Sequence, residues 1–143
     1  MPRRPRLSTG GIAYHVLNRR VGRLELFEKR ADYASFEKIL TEAHHRTGIR
    51  IAAYCLMSNH RHSSGTGPVY QGRFKSFPVQ TDEHFLTVAR YVERNALGAK
   101  LVERAEDWRW SSVYRISRRD AKLGDFLSPW PMERPQNWID WVN

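Results

Sequence analysis

The stretch IRIAAYCLMS, Ile49 to Ser58, limits the fold more than any other part of the chain, because it is largely apolar on both faces. A strand that is apolar on both faces reads as a central strand of a sheet. It runs straight into MSNHRHSSGTG (Met57 to Gly67), where His60 and His62 stand two residues apart ahead of a glycine-rich turn. That spacing puts both rings on one face of an extended chain.

Further elements flank it. IAYHVLNRR (Ile12 to Arg20) alternates as a strand, with Ile12, Tyr14 and Val16 on one side and Ala13, His15 and Leu17 on the other. DYASFEKILTEAHHRTG spaces Tyr33, Phe36, Leu40 and Ala43 as a helix and stops at Gly48, a C-terminal cap. RFKSFPVQ (Arg73 to Gln80) predicts a third strand, with Phe74 and Ser76 facing opposite to Lys75 and Phe77, and Pro78 marking an edge or an end. A second helix starts near Asp82, read as its N-cap, and runs to Gly98, with Phe85, Val88 or Ala89, Val92 and Ala96 toward the sheet. AEDWRWSSVYRISRRD predicts a helical turn or short helix packed by Trp108, Trp110 and Tyr114. Residues 121–143, rich in Pro and Trp, predict a tail across the domain surface that buries indole rings while its prolines block regular pairing. Residues 1–11 hold Arg, Pro, Ser and Gly and predict a mobile basic arm, which leaves 12–120 as one domain.

Lys and Arg number 24 against 15 Asp and Glu, a net charge of +9. A field that strong suits nucleic acid, although a basic surface can also be merely solvated. Cys55 is the one cysteine, so no disulfide can form within the chain. The basic start leads into no apolar signal segment, and no apolar run reaches membrane-spanning length. The expectation is a soluble protein of a reducing cytoplasm, with no membrane partner.

On the second helix a stripe beside the apolar one carries His84, Tyr91 and Asn95. Tyr91 and Asn95 are one turn apart and point the same way. A tyrosine beside a core stripe is ordinarily a packed aromatic whose hydroxyl reaches water. It can also attack phosphorus, giving a phosphotyrosine that splits strand transfer into two steps. With a free pKa near 10 it then needs help, which a divalent metal on histidines and an amide oxygen supplies by polarising the phosphate. His60, His62, Tyr91 and Asn95 are the parts such chemistry requires.

YHVLNRR, YCLMSNHRH, the long block from Tyr70 to Tyr114 (YQGRFKSFPVQTDEHFLTVARYVERNALGAKLVERAEDWRWSSVY) and PWPMERPQNWIDWVN together closely resemble the REP-associated tyrosine transposases, a branch of the single-tyrosine HUH transposases. The resemblance covers nearly the whole chain. It implies an α+β fold, the ferredoxin-like antiparallel sheet with helices packed on it of HUH nucleases. It implies DNA transposition through cleavage of single-stranded or hairpin DNA from repetitive extragenic palindromes, with Mg2+ or Mn2+ and no small-molecule cofactor, by a monomer or dimer. By the same resemblance Tyr91 is the nucleophile forming a 5′-phosphotyrosine, His60 and His62 are the metal-binding pair, and Asn95 is the third ligand. Arg3, Arg4 and Arg6 of the arm, with Arg73 and Lys75, are expected to hold phosphates or read bases.

The chain departs from the family at one place. In the family the residue between the histidines is hydrophobic, the strand continues past them, and a loop and a helix precede the segment resembling GTGPVYQGRF. Here Arg61 stands between, and Ser63, Ser64 and Gly65 follow at once, so the far half of the strand and the next helix are missing. His62 is then either a true member of the pair or part of the later segment, joined to MSNH by a deletion. Each lost buried side chain is worth roughly 1.5–3 kcal/mol, so the truncated domain is expected to be marginal or to dimerise. Two rivals to an active transposase follow: a DNA-binding remnant without catalysis, and an RNA-binding module suggested by charge and aromatics alone.

Overall fold

The computed structural model describes residues 9–17, 26–58, 75–119 and 126–143. Within them the chain runs β1 (Ala13–Leu17), α1 (Arg30–Thr47), β2 (Lys75–Val79), α2 (Asp82–Glu93), α3 (Asn95–Gly98), a 3-10 turn (Ala105–Asp107), α4 (Ser112–Arg118) and α5 (Trp138–Val142). The fold is α+β, and its sheet among the described residues is the antiparallel pair β1–β2. The register sets Ala13 opposite Val79, His15 opposite Phe77 and Leu17 opposite Lys75, which puts those six residues on one face. No helix among the described residues is long and apolar enough to cross a membrane.

Local chemistry fixes the helix ends. Asp32, in the first turn of α1, accepts from the backbone N–H groups of Glu28 (2.9 Å) and Lys29 (3.0 Å). Those two donors hold its carboxyl below the usual carboxylate range. α1 stops where expected: Gly48 takes φ 67° and its N–H reaches the His44 carbonyl at 2.9 Å. The start of α2 differs from expectation by one residue. Thr81, not Asp82, is the cap, because its extended backbone lets Oγ1 accept from the His84 N–H at 3.1 Å.

At its far end α2 gives way at Arg94 to α3, and the left-handed residue is Lys100 (φ 58°), not Gly98. Leu101 N–H bonds to the Ala96 carbonyl (3.0 Å) and Lys100 N–H to that of Leu97 (2.9 Å). This pair of bonds satisfies the last carbonyls at the cost of placing a side chain at positive φ.

The expected central strand, Ile49 to Ser58, forms no ladder with any other described residues. It makes two isolated bridges, Ile51 with Leu127 and Cys55 with Ser111. The backbone bonds of these bridges come from residues far along the chain. Leu56 N–H bonds to Trp110, the Tyr54 carbonyl accepts from Ser112, and the Ile51 carbonyl accepts from Ser128. The indoles of Trp130 and Trp108 donate to the Ala52 and Leu56 carbonyls, both at 2.9 Å. Among the described residues, backbone and indole groups of other segments thus stand where the two-sided apolar pattern suggested neighbouring strands, and they pair buried amides and carbonyls of this segment.

Two apolar clusters result. One gathers Val79, Phe85, Ala89, Ala105, Val113, Trp138 and Val142, so the sheet face bearing Ala13 and Val79 lies against α2 and the C-terminal segment seals the other side. The second joins Phe27, Tyr33, Tyr54, Leu56, Trp110 and Phe126, with Tyr33 stacked between Phe27 and Trp110 at 4.4 and 5.0 Å.

Each cluster encloses a carboxylate. Glu37, on α1, accepts from the Tyr54 hydroxyl (2.8 Å) and pairs with Arg115 (2.7 Å). Burial, and then the Glu37 charge, push the Tyr54 hydroxyl far above its ordinary range. Glu93, fully buried at the end of α2, accepts from Ser112 Oγ (2.7 Å), Trp138 Nε1 (2.6 Å) and Arg134 (3.4 Å).

Candidate functional site

Tyr91 lies in the last turn of α2, on the side turned away from Glu93, and is 49% exposed. Its ring meets that of His15, on β1, edge to face at 5.7 Å between centroids and 76° between planes. The contact follows from topology. Ala13 and Val79 pack beneath Phe85 and Ala89, which brings the next residue on that face, His15, level with Tyr91.

His84, two turns earlier on α2, is the third aromatic of this edge. Its Nδ1 accepts from the Gln80 N–H at 3.3 Å. Burial, and then the charge of His84, lower the His15 pKa from its ordinary 6.5. His15 is therefore predominantly neutral at neutral pH, and an uncharged imidazole sits against the phenol.

Of the residues expected at the site, Tyr91, Asn95 and Lys75 fall within the described chain. Asn95 opens α3 and is half-buried, on the far side of the Arg94 junction from Tyr91. Lys75 is exposed at the first position of β2, on the sheet face that carries His15. His60, His62, Arg3, Arg4, Arg6 and Arg73 lie outside the described residues, as do Phe74 and the glycine turn. Among the described residues no group of three His, Cys, Asp or Glu side chains is placed to hold a metal ion. Asn95 offers an amide oxygen, a donor that suits Mg2+ or Mn2+.

Two arginines of α2 and its junction face away from the site. Arg90 Nε donates to the Trp141 carbonyl, and Arg94 donates to the carbonyls of Val142 (2.7 Å) and Asn143. These cations meet the unpaired carbonyls at the end of α5 and tie the C-terminal helix to α2. Asn143 in turn accepts from the Ala105 N–H at 2.8 Å and donates to Glu106 at 2.8 Å. Cys55 is no rival nucleophile: burial, and the nearby Glu93 charge, push its thiol up to about 12.

Sequence reasoning missed His15 and Glu93. The alternation of β1 places His15 on a face with Ala13 and Leu17, but its neighbour across the helix depends on how far β1 slides along α2. Glu93 follows Val92 in a helix of mixed polarity, and no local pattern separates it from a solvated glutamate. No family model, curated protein or solved structure matches the chain.

Proposed function

We propose that the chain is a DNA transposase of the single-tyrosine HUH type, cutting single-stranded or hairpin DNA through a 5′-phosphotyrosine. The observation that carries this reading is Tyr91 itself: a half-exposed phenol on a helix anchored from behind, against a largely neutral imidazole. In the proposed step Tyr91 Oη attacks phosphorus and the P–O bond to the 3′ oxygen breaks. The phenol gives up its proton and the leaving 3′ oxygen gains one. The products are a 5′-phosphotyrosyl strand and a free 3′ hydroxyl.

His60, His62 and Asn95 are the proposed holders of Mg2+ or Mn2+, whose contribution is to polarise the phosphate. Lys75, Arg73 and the arm residues Arg3, Arg4 and Arg6 hold phosphates in this reading, in keeping with the net charge of +9. The ferredoxin-like HUH arrangement is likewise part of the proposal.

The protein with Mn2+ and a single-stranded hairpin is expected to form an adduct that survives SDS, and Tyr91→Phe to abolish it. Absence of an adduct with either metal would overturn the enzyme. The junction of Ser63, Ser64 and Gly65 directly after His62 favours a second reading, a DNA-binding remnant without catalysis. That remnant binds hairpins in a salt-sensitive manner, independent of metal and of His62→Ala.

A further inference from the structure

Phe77 occupies the middle of β2, yet it is 49% exposed. It stands opposite His15 in the ladder, on the face whose other end, Ala13 and Val79, is covered by α2. α2 reaches this level of the sheet through Tyr91, which meets His15, and Phe77 on the neighbouring strand stays exposed, so Tyr91, His15 and Phe77 follow one another from helix to sheet. Lys75, also exposed, is two residues further on the same face, about 7 Å along the strand. A single exposed ring needs no explanation. An open ring that continues a row of two others and ends on a cation, in a chain of net charge +9, has the composition of a single-strand binding platform.

We propose that Phe77 is a base-stacking residue: its ring, with His15 beside it, receives an unpaired nucleobase of single-stranded DNA while Lys75 meets the adjoining phosphate, leading the strand toward Tyr91. The choice of DNA, and of Tyr91 as the destination, rests on the transposase reading. The stacking itself rests on exposure, register and charge. Every base has a π face, so the contact is tolerant of sequence. It is closed to duplex, whose bases are already stacked.

The test uses the full chain without metal and a single-stranded oligonucleotide containing 2-aminopurine, whose fluorescence falls when the base stacks. Wild type is expected to bind and quench. Phe77→Ala and Phe77→Leu are both expected to bind roughly five- to 150-fold more weakly and to lose the quench, the range set by loss of one base–aromatic stack. Phe77→Trp is expected to bind within about twofold of wild type.

Leucine as good as phenylalanine would overturn the proposal, since apolar contact alone would then suffice. Equal dependence on Phe77 for duplex, or for RNA of the same sequence, would overturn the assignment to single-stranded DNA. So would unchanged DNA binding by Phe77→Ala accompanied by altered self-association, which makes the face a protein interface. The adduct assay separates the two readings. Quenching without any adduct removes the transposase and leaves the platform. An adduct formed by Phe77→Ala at wild-type affinity removes the platform and leaves the transposase.

Discussion

Tyr91 and Glu93 are two residues apart on one helix and live in opposite worlds. Tyr91 is half-exposed against a single imidazole, whereas Glu93 is fully buried and accepts from three side chains. The donors to Glu93 come from α4 and from the C-terminal segment, so one carboxylate fixes two parts of the chain to α2. The exposed side of the helix has almost no packing of its own. A reactive group there is held by what grips the helix from behind, and the two faces should respond differently to substitution.

The largest effect is expected on the buried face. Glu93→Ala leaves Trp138 Nε1 and a half-buried Arg134 without their acceptor and Ser112 Oγ with only the Tyr54 carbonyl, and removing one partner of a buried ion pair costs about 3–5 kcal/mol. Glu93→Gln keeps the shape and one carbonyl oxygen and should cost less than Glu93→Ala. Urea unfolding of the three proteins measures both differences. A loss below about 1 kcal/mol for Glu93→Ala would show that the network does not fix the helix.

Glu93 also marks what the sequence could and could not disclose. Helix ends were readable where one residue decides them, as at Gly48, and misread by a residue or two where neighbours compete, as at Thr81 against Asp82 and Lys100 against Gly98. The apolar stripe Phe85, Ala89 and Ala96 is buried as its spacing requires. Glu37 and Glu93 were invisible because a charged residue on a helix ordinarily faces water. Their partners lie 17 to 45 residues away, at Tyr54, Ser112 and Trp138. Helical period set Tyr91 and Asn95 one turn apart on one stripe, whereas α2 ends between them at Arg94 and Asn95 opens α3. The row from Tyr91 through His15 to Phe77 could not be read from period, since it depends on strand register and on where α2 ends. The histidine pair, the strongest sequence signal, falls outside the described residues.

An intermediate effect is expected where the open face meets the sheet. The His15 pKa lies below its ordinary 6.5 in the folded protein. As pH falls through about 6.5, the unfolded chain takes up a proton that the folded chain resists, so stability declines until the folded pKa is passed. Above that window the contribution is constant. His15→Phe keeps a ring against Tyr91 and removes the titration, so its urea midpoint should change less than that of wild type between about pH 7.5 and about pH 5.5. The effect should be smaller than that of Glu93→Ala, because the ring is in partial contact with water. Identical pH dependence in the two proteins would mean that His15 does not resist its charge.

The smallest effect on stability is expected at Tyr91, and it bears most directly on function. Tyr91→Phe leaves the ring and its edge-to-face contact with His15 in place and removes one hydroxyl from a half-exposed side chain. A surface change of that size shifts stability by no more than about 0.5 kcal/mol in either direction. Loss of the DNA adduct in a variant as stable as wild type assigns the lost chemistry to the phenol oxygen. Were Tyr91→Phe instead to unfold at much lower urea, the hydroxyl would belong to the structural face, and adduct loss would no longer distinguish a nucleophile from a missing fold. Parallel urea and adduct measurements on the same preparation therefore decide whether the division between the two faces of α2 is also a division between structure and chemistry.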